Sequence, residues 1–276
     1  ESEHPFTLNF NNKDVRITTH YYEKNILSSI FSTIHEGGHA IYEQQIDDIV
    51  SETVLGEGTS MGIHESQSRI FENMFGRNIN FLKNIFNKFD ELFDIRSKGI
   101  EVEDFYKIVN TVSKSLIRIE ADELTYPIHI MIRYELEKEI FSNLEEIESS
   151  EYIDYLANKW ADMYEEFLGV RPTTNSEGIL QDVHWSSGLF GYFPSYALGS
   201  AYAAQIYNSM NKEFSIEENL SNGNFDNINS FLKDKIHKFG KSKTPNELLI
   251  LATGEAFNPD YYINYLKEKY RKIYGI

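Results

Sequence analysis

Residues 32–45 read STIHEGGHAIYEQQ, and this stretch constrains the fold more than any other. His35 and His39 are four apart, so on a helix they share one face. Their imidazoles can then meet one divalent ion. Glu36 stands beside the same place, where a carboxylate can take a proton from water that the ion activates. Gly37 and Gly38 lie between the histidines. Each glycine costs a helix interior about 1 kcal/mol relative to alanine, so two side by side imply that a neighbouring helix or a substrate strand comes close to the backbone. The plain alternative, two surface or core histidines on an ordinary helix, leaves the glycine pair unexplained.

A hydrolytic metal site needs a third protein ligand and one open position. The segment MGIHESQSRIFE, residues 61–72, offers Glu65, 26 residues after His39 at the start of a second helix. A helix–loop–helix hairpin brings it opposite the histidine pair. His64 competes for the role, but adjacent helical residues diverge by about 100°, so one of the two points inward. Glu72 and Glu57 are weaker candidates. Arg69 reads as an i,i+4 partner that orients Glu65. Two imidazoles and a carboxylate suit Zn2+ and also accept Co2+ or Mn2+.

Helix periodicity dominates the chain. Helices are predicted over 23–46, 63–78, 79–94, 102–109, 112–144, 151–168, 194–212, 225–238, 244–252 and 258–272. One hairpin signal precedes them, where Phe6, Leu8 and Phe10 answer Val15 and Ile17 across Asn11–Lys13. Residues 176–193 have no clear period and carry Gln181, Asp182, His184 and Trp185 among glycines, the make-up of a functional loop. His20 and His129, in apolar surroundings, read as satisfied structural histidines and His237 as a surface one. The expectation is one mainly α domain spanning 1–276 with a small β element.

The formal charge is −17, from 26 basic and 43 acidic side chains. Such a surface repels phosphate backbones, which argues against nucleic acid. No apolar run reaches membrane-spanning length, so no membrane partner is expected. The absence of cysteine excludes disulfides and thiolate chemistry and fits a reducing, cytoplasmic location. The opening ESEHPFTLNF does not read as a signal peptide. It also lacks an initiator methionine, so a processed product or a fragment is expected.

The motifs together resemble the metallocarboxypeptidases of the carboxypeptidase Taq family. HPF stands at His4–Phe6, DVRIT at Asp14–Thr18, HEGGH at His35–His39, HESQ at His64–Gln67, IRIEAD at Ile117–Asp122 and GILQDVHW at Gly178–Trp185, with GYFPSYALG following. The resemblance implies a helical, zincin-like catalytic domain with a small β-hairpin beside the active site. It implies removal of single amino acids from peptide C-termini, with His35, His39 and Glu65 as metal ligands and Glu36 as general base. Tyr196 or Tyr192 and His184 are the expected donors to the oxyanion. Arg16 and Arg118 are the candidates for the substrate's free carboxylate, since a guanidinium pairs with carboxylate in two places; as alternatives, Arg118 could pair locally with Asp122 and Arg16 could be a strand-face charge. Gln181 and Asp182 are expected to brace His184 or line the groove, and Asp14 to support the site. Family members are about twice this length, and the motifs fall in their C-terminal half. The resemblance therefore implies a homodimer, or a complex with a separate N-terminal half. Two rivals stay open: an endopeptidase or oligopeptidase with an open groove, and a regulatory subunit with a vestigial site.

Overall fold

The computed structural model describes residues 1–276. Two short strands, β1 (Thr7–Asn11) and β2 (Asp14–Ile17), pair antiparallel with Leu8 opposite Arg16 and Asn9 opposite Val15. Alternation puts Leu8 and Phe10 on one face and Thr7 and Asn9 on the other. The apolar face is the outward one, with Phe10 60% exposed. Thr7 and Asn9 turn toward the first long helix, where they hydrogen-bond two carboxylates. The β1 side of this inner face is polar where it meets the buried Glu36 and Glu43, and Val15 and Ile17 of β2 lie opposite on the same face.

The helices follow in order: α1 (Ile26–Gln44), α2 (Asp48–Ser51), α3 (Met61–Arg69), α4 (Ile79–Phe93), α5 (Val102–Val109), α6 (Tyr126–Ser142), α7 (Ser150–Leu168), α8 (Pro194–Glu213), α9 (Ile216–Ser221), α10 (Asp226–Lys235), α11 (Pro245–Thr253) and α12 (Asp260–Tyr274). The segment predicted as a single helix over 63–78 changes winding: α3 runs on into a π-helix, Ile70–Gly76. Wider turns of this kind recur at functional sites because they re-aim side chains.

The chain, read in sequence as one domain, packs as two compact units, Glu1–Val109 with Leu198–Ile276, and Asn110–Ala197. In the first, Phe31 of α1 joins Leu82, Phe86 and Phe89 of α4 and Phe105 and Val109 of α5 in an aromatic-rich core. In the second, Ile132, Leu136 and Ile140 of α6 pack on Leu156, Trp160 and Tyr164 of α7. Ser149 caps α7 by accepting from the Tyr152 N–H, and Gly169 ends it at φ 66°, a left-handed position that glycine adopts without a Cβ penalty.

The predicted helix over 112–144 is corrected to 126–142. Pro127 lies in the first turn of α6, the one part of a helix that tolerates its missing N–H. Upstream, Asp122 accepts from the backbone of Leu124, Thr125 and Ser113. That local competition stops helix growth and occupies the carboxylate that Arg118 was offered as an i,i+4 partner; Arg118 lies instead in a 3-10 turn, Arg118–Glu120. His237 is also corrected, from surface to fully buried. It opens the 3-10 turn His237–Ser242, and its two ring nitrogens lie 2.8 Å from the amide oxygens of Gln45 and Gln67.

His129 on α6 is fully buried, and only half of its expected hydrogen bonding is present. Nδ1 meets the Tyr164 hydroxyl at 2.9 Å, whereas Nε2 has no partner. Burial, then the charges of Arg133 and Arg118, push its pKa down to about 3. Between pH 6.5 and 3 the unfolded chain binds a proton there that the folded chain refuses, so stability drops by about 1.4 kcal/mol for each unit by which the pH is lowered. Urea unfolding of the His129→Leu variant at pH 7 and pH 5.5 is expected to lose about 1.4 kcal/mol less across that interval than wild type; an identical acid loss would contradict it.

Candidate metal centre

The site is assembled where α1 crosses α3. A Cβ on Gly38 would stand 2.6 Å from the Gln67 carbonyl oxygen and 2.8 Å from the Ser68 Cα. Only glycine permits that approach, and it carries α3 against the histidine face of α1. On the other side of Glu65, a Cβ on Gly199 of α8 would fall 2.6 Å from the Glu65 Cβ and Cγ. Two glycines on two helices thus set the depth of one carboxylate. Gly37 has nothing within 4 Å of its Cβ position, so the close contact belongs to one member of the pair.

His35, His39 and Glu65 bring ligand atoms within 4.8 Å of one another. Oε2 of Glu65 lies 3.9 Å from Nε2 of His35 and 3.7 Å from Nε2 of His39. The other Glu65 oxygen accepts from Nε of Arg69 at 2.7 Å, so one oxygen is engaged and the other faces the imidazoles. Two imidazole nitrogens and one carboxylate oxygen are a donor set that a divalent ion accepts while keeping an open position. These residues fit such an ion.

The outer contacts are equally specific. Nδ1 of His35 is 3.0 Å from Oε2 of Glu72 on the π-helix, and Arg69 and Arg77 flank the same carboxylate at 3.3 and 3.1 Å. Burial opposes ionisation of Glu72, but the bond to His35 and the two guanidinium charges outweigh it and hold its carboxyl well below the usual range. An ionised Glu72 accepts, so Nδ1–H of His35 donates, and in the neutral ring Nε2 keeps its lone pair for an ion. Burial first, and with it the neighbouring Arg69 charge, keeps His39 well below the ordinary imidazole range, which leaves it neutral, the form that binds metal. Burial also works against the charged form of His35, yet Glu65 and Glu72 raise its pKa above the ordinary value. Glu36 is buried and accepts from the Thr7 hydroxyl at 2.7 Å. His64 turns away from Glu65 and meets His39 Nδ1 to Nδ1 at 2.7 Å. Glu57 lies on the surface, paired with Lys241.

The other site residues read from the sequence lie apart from this cluster or in the second unit. Arg16 is 67% exposed on β2, its Nε and Nη2 on Asp14 at 2.7 and 2.8 Å. Asp14 therefore supports Arg16. In the second unit, Asp182 takes two arginines: Arg118 donates from Nη2 at 2.8 Å and Nε at 3.1 Å, and Arg133 from Nε at 2.7 Å. Burial raises the Asp182 pKa, but the Arg118 and Arg133 contacts outweigh it and hold it below the usual carboxylate range. Gln181 accepts from the Arg118 backbone and from Arg133, and donates to two carbonyls. His184 meets the Tyr196 hydroxyl through Nε2 at 3.1 Å, while its Nδ1 stays 4.0 Å from Asp182, too far for the brace expected from sequence. Tyr192 packs beside both rings.

The chain matches the family model for carboxypeptidase Taq (M32) metallopeptidases over residues 1–270. It belongs to that family. Among its relatives, carboxypeptidase 1 of Bacillus subtilis is 48% identical over 275 residues, and thermostable carboxypeptidase 1 of Thermus thermophilus is 42% identical over 274. The crystal structure of the M32 carboxypeptidase from Deinococcus radiodurans superposes with a TM-score of 0.94 at 38% identity, covering 100% of this chain and 55% of that one. The first two matches cover 99% of this chain and 54% and 52% of those proteins. This M32 chain therefore spans about half the length of the relatives it matches.

Sequence reasoning missed Arg133, Glu43 and Gly199. Arg133 is 0% exposed. It follows His129 by four residues on α6, and that spacing of two polar groups on one apolar helix face was its only signal. Gly199 stood in the family stretch GYFPSYALG, but nothing local pairs it with Glu65.

The glycine pair yields a paired expectation. Gly38→Ala forces α1 and α3 apart and is expected to lower stability by about 1–3 kcal/mol, the range of an overpacked core. Gly37→Ala meets open space and is expected to raise it by up to about 1 kcal/mol. Urea unfolding of the two variants decides this: equal effects would refute the assignment of the close contact to Gly38.

Proposed function

We propose that this chain carries the catalytic centre of a metal-dependent carboxypeptidase that releases single residues from peptide C-termini. The observation that carries this is the convergence of Nε2 of His35 and His39 on Oε2 of Glu65, with Glu36 the next residue along α1. Zinc is the proposed ion, with Co2+ or Mn2+ as substitutes. When bound, a divalent ion there supplies a Lewis acid and lowers the pKa of water toward neutrality.

The chain's own residues do the rest. Thr7 holds Oε2 of Glu36 and leaves Oε1 for the proton of the attacking water, which Glu36 then passes to the leaving amine. The proposed donors to the developing oxyanion are His184 with Tyr196 or Tyr192. For the substrate carboxylate, Arg118 and Arg133 share the single charge of Asp182, so the trio holds one positive charge in excess. With its donors already engaged by Asp182 and Tyr126, Arg118 acts there through charge, and Arg16 is the second candidate. Gln181 and Asp182 act by holding the two arginines.

Because the chain spans about half of its relatives, we propose that full activity requires the remaining portion, in one polypeptide or as a separate chain, and that the assembly is a dimer. No helix is long and apolar enough to cross a membrane, and the proposed place of action is the cytoplasm.

Glu36→Gln is expected to lower kcat by at least about 100-fold while zinc content stays near one per chain by elemental analysis. Retained turnover would refute its role as base. Mass spectrometry of peptides with free and amidated C-termini tests the exopeptidase assignment. Stepwise loss of terminal residues from the free series alone is expected; internal cleavage of amidated peptides would make the enzyme an endopeptidase.

A further inference from the structure

We infer that Glu43 and His64 form a relay that fixes the tautomer and ring orientation of His39, making both positioning residues for the metal centre. This rests on the reading of His35, His39 and Glu65 as ligands. His35 is oriented directly by a carboxylate, Glu72, as many metal-binding histidines are. His39 has no such contact. Its Nδ1 lies 2.7 Å from a second imidazole nitrogen, Nδ1 of His64. Two ring nitrogens at that distance share one hydrogen, so one donates and the other accepts. The question is which, because the answer decides whether Nε2 of His39 presents a lone pair or a hydrogen to Glu65.

The far side of His64 answers it. Nε2 of His64 lies 2.5 Å from Oε1 of Glu43. Glu43 is 4% exposed, and every other hydrogen bond it makes is one it accepts: the Gly58 N–H reaches Oε1 at 3.0 Å, and the Asn9 amide reaches Oε2. A backbone N–H and a side-chain NH2 can only donate. Glu43 is thus surrounded as an acceptor, and His64 gives it the Nε2 hydrogen. In its neutral form His64 then accepts at Nδ1, so the hydrogen between the rings belongs to His39, the arrangement that a metal-binding Nε2 on His39 requires. Nε2 of His39 is left bare, 3.7 Å from Oε2 of Glu65. The chain of donation runs from His39 to His64 to Glu43, and Asn9 of the hairpin secures the far end.

Packing holds the same orientation. The rings of His39 and Tyr42 lie 4.8 and 4.9 Å from that of His64. A Cβ on Gly58 would stand 2.6 Å from Cδ2 of His64 and 2.7 Å from Cε1 of Tyr42, so the loop before α3 closes over His64 with glycine as the only residue that fits. The Tyr42 hydroxyl accepts from the Thr59 N–H, which pins that loop. His64 has neither room to flip nor a second partner to flip toward. The residue that competes with Glu65 in sequence thus serves the second histidine from behind.

The test uses the full chain stripped of metal, with zinc affinity measured by competition against a chromophoric chelator and the Co2+-loaded visible spectrum as the second readout. His64→Phe keeps a ring but removes the acceptor; it is expected to weaken zinc about 10–100-fold, the usual cost of losing an outer partner of a metal ligand, and to shift the Co2+ bands. His64→Asn places an amide oxygen near the former Nδ1 and is expected to recover most of the affinity. Tyr42→Phe keeps the ring that packs on His64 and every member of the relay, removing only the hydroxyl contact to Thr59, and should stay within about threefold of wild type. Zinc binding by His64→Phe equal to wild type overturns the relay, as does a loss in Tyr42→Phe as large as in His64→Phe. Should His64→Phe fail to fold, Glu43→Gln decides: about tenfold weaker zinc binding is expected, and unchanged affinity overturns the inference. Wild-type protein that binds no divalent ion would instead sink the ligand assignment itself, which separates the two failures.

Discussion

The close approach of α1 and α3 at Gly38 is the contact on which the metal centre depends. Helices normally pack with their axes 8–10 Å apart, held off by side chains. Here the backbone of Gln67 and Ser68 lies where a Cβ of residue 38 would be. That brings Glu65, two residues before Gln67, opposite His35 and His39. Gly199 lets α8 close on Glu65 from behind. A ligand held by packing on two sides loses little freedom when an ion arrives, which is what preorganisation means for a site of this kind.

Crowding acidic groups into a core has an electrostatic consequence. Glu36, Glu43, Glu65 and Glu72 all sit at or near the α1–α3 contact with little exposure. Buried carboxylates persist only when their lone pairs are met. Each one here has its own donors: Thr7 for Glu36, Asn9 and His64 for Glu43, Arg69 for Glu65, and His35 with Arg69 and Arg77 for Glu72. The first strand of the hairpin turns Thr7 and Asn9 inward to take part in this. The second unit solves the converse problem, with two buried arginines on one carboxylate.

The helical architecture was legible in the chain because periodic apolar residues and caps act locally. Apolar spacing predicts the helix at 151–168 almost to the residue, and Ser149 and Gly169 mark its ends by their own chemistry. The segment from 112 to 125 was read as helix because its apolar spacing allows one. Asp122 and Pro127 override that spacing by satisfying or removing backbone donors. His237 was placed on the surface because nothing in its neighbours along the chain reveals Gln45 and Gln67, which are distant in sequence and adjacent in space.

What the sequence determined by itself was a candidate donor set: two imidazoles four apart on one helix face, Glu36 adjacent to the first, Glu65 a fixed stretch downstream, and no thiol to compete. Those follow from helix geometry and residue type alone. What only the tertiary structure decided was which groups stand behind them. That Glu72 serves His35, that His64 and Glu43 serve His39, and that Asp182 turns to Arg118 and Arg133 all depend on which backbones come close. Close approach is set by packing across elements far apart in sequence, and no local pattern of residues encodes it.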